Sequence, residues 1–167
     1  DRLKLLEFYS DRGRPFTIFE TGGTTGLPKG VMLTHSNLVA NMLQIQAWSP
    51  PEAFGNMDRS EAIYLGAIPM FHVYGLVVML SQAVASGAKI VLVPNARDMD
   101  YLVEIIDTYE PNVFLGVPAM YNAVVNHPRV KSGEVRMDSF ILSSSGAAPL
   151  PPATKREFEA AGAHKLH

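Results

Sequence analysis

Short runs of β-type residues alternate along the chain with stretches of helical periodicity, and this alternation restricts the fold more than any other feature. Residues 16–19 read as a strand that enters a Gly/Thr-rich segment. Residues 36–48 read as a helix, with Ser36 as N-cap, Leu38, Met42 and Ile45 on one face, and Pro50 and Pro51 ending it. A strand over 62–68 and a helix over 71–85, closed by Gly87, follow. The β-branched run 89–93 reads as a strand covered on both faces. Residues 100–109 form an amphipathic pattern with Leu102, Ile105 and Ile106 inward. Strands over 112–117 and 139–143 flank a helix that Pro118 opens and Asn126 ends, and a last helix covers 152–161. Strands separated by helices predict an α/β domain with a largely parallel sheet flanked by helices. Residues 49–59 and 126–138 read as polar surface connections.

Composition narrows the function classes. With 47% hydrophobic residues in 167, the chain has enough apolar material for a core. A net charge of −2 argues against broad electrostatic binding of nucleic acid. There is no cysteine, which removes disulfides and thiolate metal sites and suits a reducing cytoplasm. Residues 1–19 lack the pattern of a signal peptide. The longest apolar stretch, 73–85, is interrupted by Gly75, Ser81 and Gln82 and is too short to span a bilayer as a helix. His127, His164 and His167 show no metal-ligand spacing, and Asp98, Asp100 and Asp107 read as parts of a solvated face.

The chemically richest segment is Thr21-Gly22-Gly23-Thr24-Thr25-Gly26-Leu27-Pro28-Lys29-Gly30. Its glycines allow close approach of backbone to ligand, its hydroxyls and amides donate hydrogen bonds, and Lys29 adds a positive charge. That combination suits a phosphate or pyrophosphate. A plain Gly-rich turn is the alternative, against which the density of threonine and the lysine weigh. The Walker nucleotide loop requires Gly-Lys followed by Ser or Thr, whereas Lys29 lies between Pro28 and Gly30. A P-loop ATPase is therefore not expected.

The string TGGTTGLPKGVMLTH, residues 21–35, resembles the phosphate-loop signature of the acyl-CoA synthetase, luciferase and peptide-synthetase adenylation superfamily. Glycine at position 22 is similar to bacterial and archaeal long-chain fatty acid–CoA ligases. Ile68-Pro69-Met70-Phe71-His72-Val73-Tyr74-Gly75 resembles the aromatic–histidine element of that family, and Ser143-Ser144-Ser145-Gly146-Ala147-Ala148-Pro149-Leu150 resembles its adenine loop. Gly87-Ala88-Lys89 and Val117-Pro118-Ala119 agree in order and spacing. The resemblance covers residues 15–167, a partial AMP-binding domain without the C-terminal lid domain, and leaves 1–14 as an unassigned extension.

The resemblance implies a subdomain of the acyl-CoA synthetase N-terminal domain and a two-step reaction: acyl-adenylate formation from a fatty acid and ATP, then thioester formation with CoA. It implies that Thr21, Gly22, Gly23, Thr24, Thr25, Gly26 and Lys29 grip the β- and γ-phosphates. Gly146, Ala147 and Ala148 would face adenine. Lys29 and His72 would be the catalytic side chains, with His72 near the substrate carboxyl. His72 would otherwise be a core histidine, and the apolar residues 70–79 are either plain core or the wall of an acyl tunnel.

The Tyr-Gly-x-Thr-Glu motif with its Mg²⁺-associated glutamate, the ribose-binding aspartate and the catalytic lysine of the lid domain do not occur here. The expectation is thus a fragment that is inactive by itself. Another adenylate-forming enzyme, an aryl-CoA ligase or amino-acid adenylation domain, is the first alternative, and a non-catalytic nucleotide-binding module the second. The expected setting is the cytoplasm, with peripheral membrane association and homodimer formation left open.

Overall fold

A computed structural model describes residues 15–21, 29–49, 54–164 and 166–167, with residues 15–21 and 29 described by their backbone. The chain divides into two units, Asp1–Ser49 and Pro50–His167. The expected extension 1–14 lies outside the described residues.

In the first unit, strands β1 (Pro15–Thr21) and β2 (Lys29–Thr34) form an antiparallel hairpin. The register runs from Pro15 opposite Thr34 to Thr21 opposite Lys29 and is irregular between Pro15 and Thr17. Strand β2 was not expected, because its Gly30 and flanking loop residues mask a short β run. Helix α1 (His35–Trp48) starts one residue earlier than expected, and its N-cap is Thr34, not Ser36. Thr34 Oγ1 accepts the Asn37 N–H at 3.2 Å, and Asn37 Oδ1 accepts the Thr34 N–H at 3.0 Å. This reciprocal pair satisfies two otherwise orphaned donors. Met42 is buried as expected, and the Ser49 N–H closes the helix on the Ile45 carbonyl.

The second unit is built on four parallel strands: β3 (Ile63–Gly66), β4 (Lys89–Leu92), β5 (Val113–Gly116) and β6 (Leu142–Ser145), in the order β4-β3-β5-β6. A segment after β3 is π-helical over Tyr74–Leu80 and continues as α2 (Ser81–Ser86), which Gly87 closes at φ 70°. The remaining helices are α3 (Met99–Tyr109), α4 (Pro118–Asn126), α5 (Pro128–Lys131) and α6 (Pro152–Ala160). This is the α/β architecture with a parallel, helix-flanked sheet that the alternation predicts.

Successive strand residues serve opposite faces. Phe114 belongs to a core with Leu102, Ile106, Tyr121, Phe140 and Phe158, whereas its neighbours Val113 and Leu115 pack with Tyr64, Met79 and Ala83. The first core has an aromatic centre, with Phe114 and Tyr121 ring centroids 4.5 Å apart and Tyr121 edge-on to Phe158 at 5.0 Å. Such pairs add roughly 0.5–1.5 kcal/mol each beyond area burial.

Three expectations need correction. Strand β4 is not covered on both faces: it lies at the end of the strand order, and Leu92 is 59% exposed. The strand expected over 139–143 lies further along the chain, as β6, with Ser143 buried. The connection 126–138 contains helix α5 and buries Val130, Val135 and Met137 under the sheet. The aspartates of the α3 region also have partners: Asp98 caps α3 through the Tyr101 N–H, Asp100 meets His127 Nε2 at 2.9 Å, and Asp107 meets Arg129 at 2.7 Å. Among the described residues no helix is long and apolar enough to cross a membrane.

Candidate functional site

In a parallel sheet every strand delivers its following loop to the same edge. From β3 the chain moves outward to β4, then returns to the opposite side of β3 for β5 and onward to β6. The carboxyl ends of β3 and β5 therefore flank the reversal of strand order, where open α/β sheets form a ligand crevice. His72 follows β3, Val117 and Pro118 follow β5, and Gly146, Ala147 and Ala148 follow β6. The fold thus brings His72 and the 146–148 loop to one edge of the second unit.

His72 is held by its backbone and by one ring nitrogen. Its N–H donates to the Pro69 carbonyl at 3.1 Å and its carbonyl accepts the Leu76 N–H at 3.0 Å. Nδ1 accepts the Tyr74 N–H at 3.1 Å, so the neutral ring carries its proton on Nε2. The side chain is exposed, as is neighbouring Phe71 at 85%. His72 is therefore not a core histidine, and Nε2–H is a donor available at the sheet edge. Of the apolar segment 70–79, Val77 and Met79 are buried core.

Tyr74 and Tyr121 converge beneath the 146–148 loop. The Tyr74 hydroxyl donates to the Ser144 carbonyl at 3.2 Å. The Tyr121 hydroxyl lies 2.6 Å from the Phe114 carbonyl and 3.0 Å from that of Ser144. Burial raises both phenol pKa values above 10.0, that of Tyr121 well above, so both are neutral donors at ordinary pH. The Gly146 N–H donates to the Gly116 carbonyl at 3.0 Å. A Cβ on Gly146 would lie 3.0 Å from Tyr74 Cζ, so the ring fills the space of a side chain there. Ala147 has φ 69°, a left-handed conformation that non-glycine residues seldom adopt, and such strain concentrates in ligand loops. Ala147 and Ala148 are exposed.

Thr21 and Lys29 face each other as the last register pair of the β1–β2 hairpin. Gly22, Gly23, Thr24, Thr25 and Gly26 lie outside the described residues, within the connection that this pair closes. The sequence did not single out Tyr74, Tyr121 or Gly116 for the site. Tyr74 stands inside a quoted motif, but its partner Ser144 is 70 positions away, and no local pattern announces that bond. An open groove of about 460 Å³ lined by Val130, Lys131, Arg136 and Glu157 contains none of the expected site residues.

Comparison with known proteins shows the family to which the chain is similar. The model of the family described as AMP-binding enzyme matches residues 9–167. A long-chain-fatty-acid–CoA ligase of Bacillus subtilis (strain 168) is 37% identical over 146 residues, covering 87% of this chain and 25% of that protein. A 4-coumarate–CoA ligase 3 of Arabidopsis thaliana is 33% identical over 130 residues, covering 78% and 22%. Among solved structures, apo MatB from Rhodopseudomonas palustris superposes with a TM-score of 0.75 at 27% identity, covering 93% of this chain and 28% of that one. The chain spans about a quarter of the length of these relatives.

Proposed function

The chain belongs to the AMP-binding enzyme family, and from this premise we propose that it is part of an ATP-dependent acid–thiol ligase acting on long-chain fatty acids. In the first half-reaction a carboxylate oxygen bonds to the α-phosphorus of ATP while the bond to pyrophosphate breaks. In the second, the CoA sulfur loses its proton and bonds to the acyl carbon while the bond from that carbon to the phosphate oxygen breaks and AMP leaves. Charge builds on the departing pyrophosphate, so fixed donors and a cation aimed at it supply most of the rate.

The observation that carries this reading is the hairpin register. Thr21 and Lys29 pair as the last rung of the hairpin, at the two ends of the Gly/Thr stretch, whose hydroxyls and amides suit an anion. In the proposed assignment Thr21, Gly22, Gly23, Thr24, Thr25, Gly26 and Lys29 hold the β- and γ-phosphates. Gly146, Ala147 and Ala148 present backbone and small side chains to adenine, and the His72 Nε2–H orients the substrate carboxylate. Magnesium is expected to accompany the nucleotide. Among the described residues no group of three or more His, Asp or Glu side chains could hold it, and no step here is routed through it.

In the full-length enzyme, Lys29→Ala slows carboxylate-dependent ATP–pyrophosphate exchange about a hundredfold, the typical loss for one transition-state donor. An exchange rate equal to wild type would overturn the assignment. A second reading, an aryl-CoA ligase, draws on the 33% identity to the 4-coumarate ligase. Exchange rates on a panel of saturated and aromatic acids separate the two.

A further inference from the structure

We infer that Tyr74 is a positioning residue that locks the His72 ring and the 146–148 loop into one rigid unit, so that the acid and nucleotide half-sites are set by a single residue. The inference rests on the function proposed above. Tyr74 makes three contacts that no other described residue combines. Its N–H donates to His72 Nδ1 at 3.1 Å, which fixes both the tautomer and the direction of Nε2–H. Its hydroxyl donates to the Ser144 carbonyl at 3.2 Å. Its ring occupies the volume where a side chain on residue 146 would stand, with Cζ and Cε1 at 3.0 and 3.1 Å from that point.

Two phenols meet at the Ser144 carbonyl. A phenol donates one hydrogen. The Tyr121 hydroxyl lies 2.6 Å from the Phe114 carbonyl and 3.0 Å from that of Ser144, so its one hydrogen is divided between two acceptors. Tyr74 directs its single hydrogen at the Ser144 carbonyl. Its own backbone is anchored from the other side, because Gly75 sits where a Cβ would be 2.3 Å from the Pro69 carbonyl oxygen, and Pro69 also accepts the His72 N–H. Tyr74 therefore cannot shift without moving His72, and the 146–148 turn cannot shift without losing its support.

The test uses the intact enzyme and Tyr74→Phe, which keeps the ring on Gly146 and removes only the hydroxyl. Two readouts are taken: amide hydrogen exchange at residues 144–148, and KM for ATP and for the acid. The expected result is exchange at 145–148 faster by about tenfold, with both KM values up about fivefold and kcat within about twofold, the effect of one lost hydrogen bond. Val103→Ala, buried on α3 away from this loop, is the contrast: it lowers the melting temperature and leaves the two KM values nearly level. Unchanged exchange at 145–148 overturns the clamp. Faster exchange with both KM values unchanged overturns its positioning role. A wild-type enzyme inert to every acid would remove the functional reading instead, and amide exchange alone would then decide whether the clamp exists.

Discussion

Gly75 shows how one residue holds the site together from below. It is buried at the start of the π-helical segment, and an added Cβ would meet the Pro69 carbonyl oxygen at 2.3 Å and its carbon at 2.9 Å. Backbone atoms cannot rotate away as a side chain could. Gly75→Ala is expected to destabilise the fold by about 1–3 kcal/mol, the range for overpacking a tight contact. Urea unfolding would measure it, and a loss below about 0.5 kcal/mol would contradict the geometry. The sequence names Gly75 as part of a motif, but it does not say why glycine is needed, because the colliding carbonyl belongs to a turn six positions earlier. Legibility at this scale follows distance along the chain: His72 and Gly146 are readable as motif members, whereas Tyr121, whose hydroxyl reaches two carbonyls across the sheet, is not.

At the scale of elements, the cap of α1 separates two sequence candidates. Thr34 and Ser36 both precede a helical pattern, yet only Thr34 has a polar side chain three residues on, Asn37, where Ser36 has Val39. That difference was present in the sequence and identifies the reciprocal cap. Thr34→Ala should cost about 1 kcal/mol in urea unfolding and clearly more than Ser36→Ala. A reversed order would refute the cap assignment.

The helix after β3 was legible as a helix but not as a π-helix. In that segment the Ser81 N–H bonds back five residues to the Leu76 carbonyl, as does its hydroxyl at 3.1 Å. Nothing in the local periodicity requires so wide a turn. It accompanies the clash limit at Gly75 and the fixed position of Tyr74, both tertiary constraints, and π segments recur at functional sites. Strand β4 illustrates the same limit from the other direction. Its residues are apolar enough for a central strand, and its position at the end of the sheet follows only from the strand order.

For the whole molecule, alternation was sufficient to foresee a parallel sheet between helices, because crossover connections leave few other ways to bury such strands. One property of the ensemble follows from its buried phenols. Tyr64, Tyr74 and Tyr121 all have pKa values raised above 10.0, in each case chiefly by burial. The unfolded chain ionises near that value while the folded chain keeps its phenols neutral. Their contribution to stability is therefore complete below about pH 10 and is lost as pH rises through the folded values. The urea midpoint should stay level from pH 8 to about 9.5 and then fall, and Tyr121→Phe should make the fall shallower. A midpoint level through pH 11 would contradict the burial of these hydroxyls.

The common direction of the four strands has one more result. Loops that share a rim can be lengthened, exchanged or recoloured chemically while the aromatic interior beneath them stays as it is. A scaffold of this kind lets selection, or an engineer, revise what is recognised without renegotiating how the protein folds.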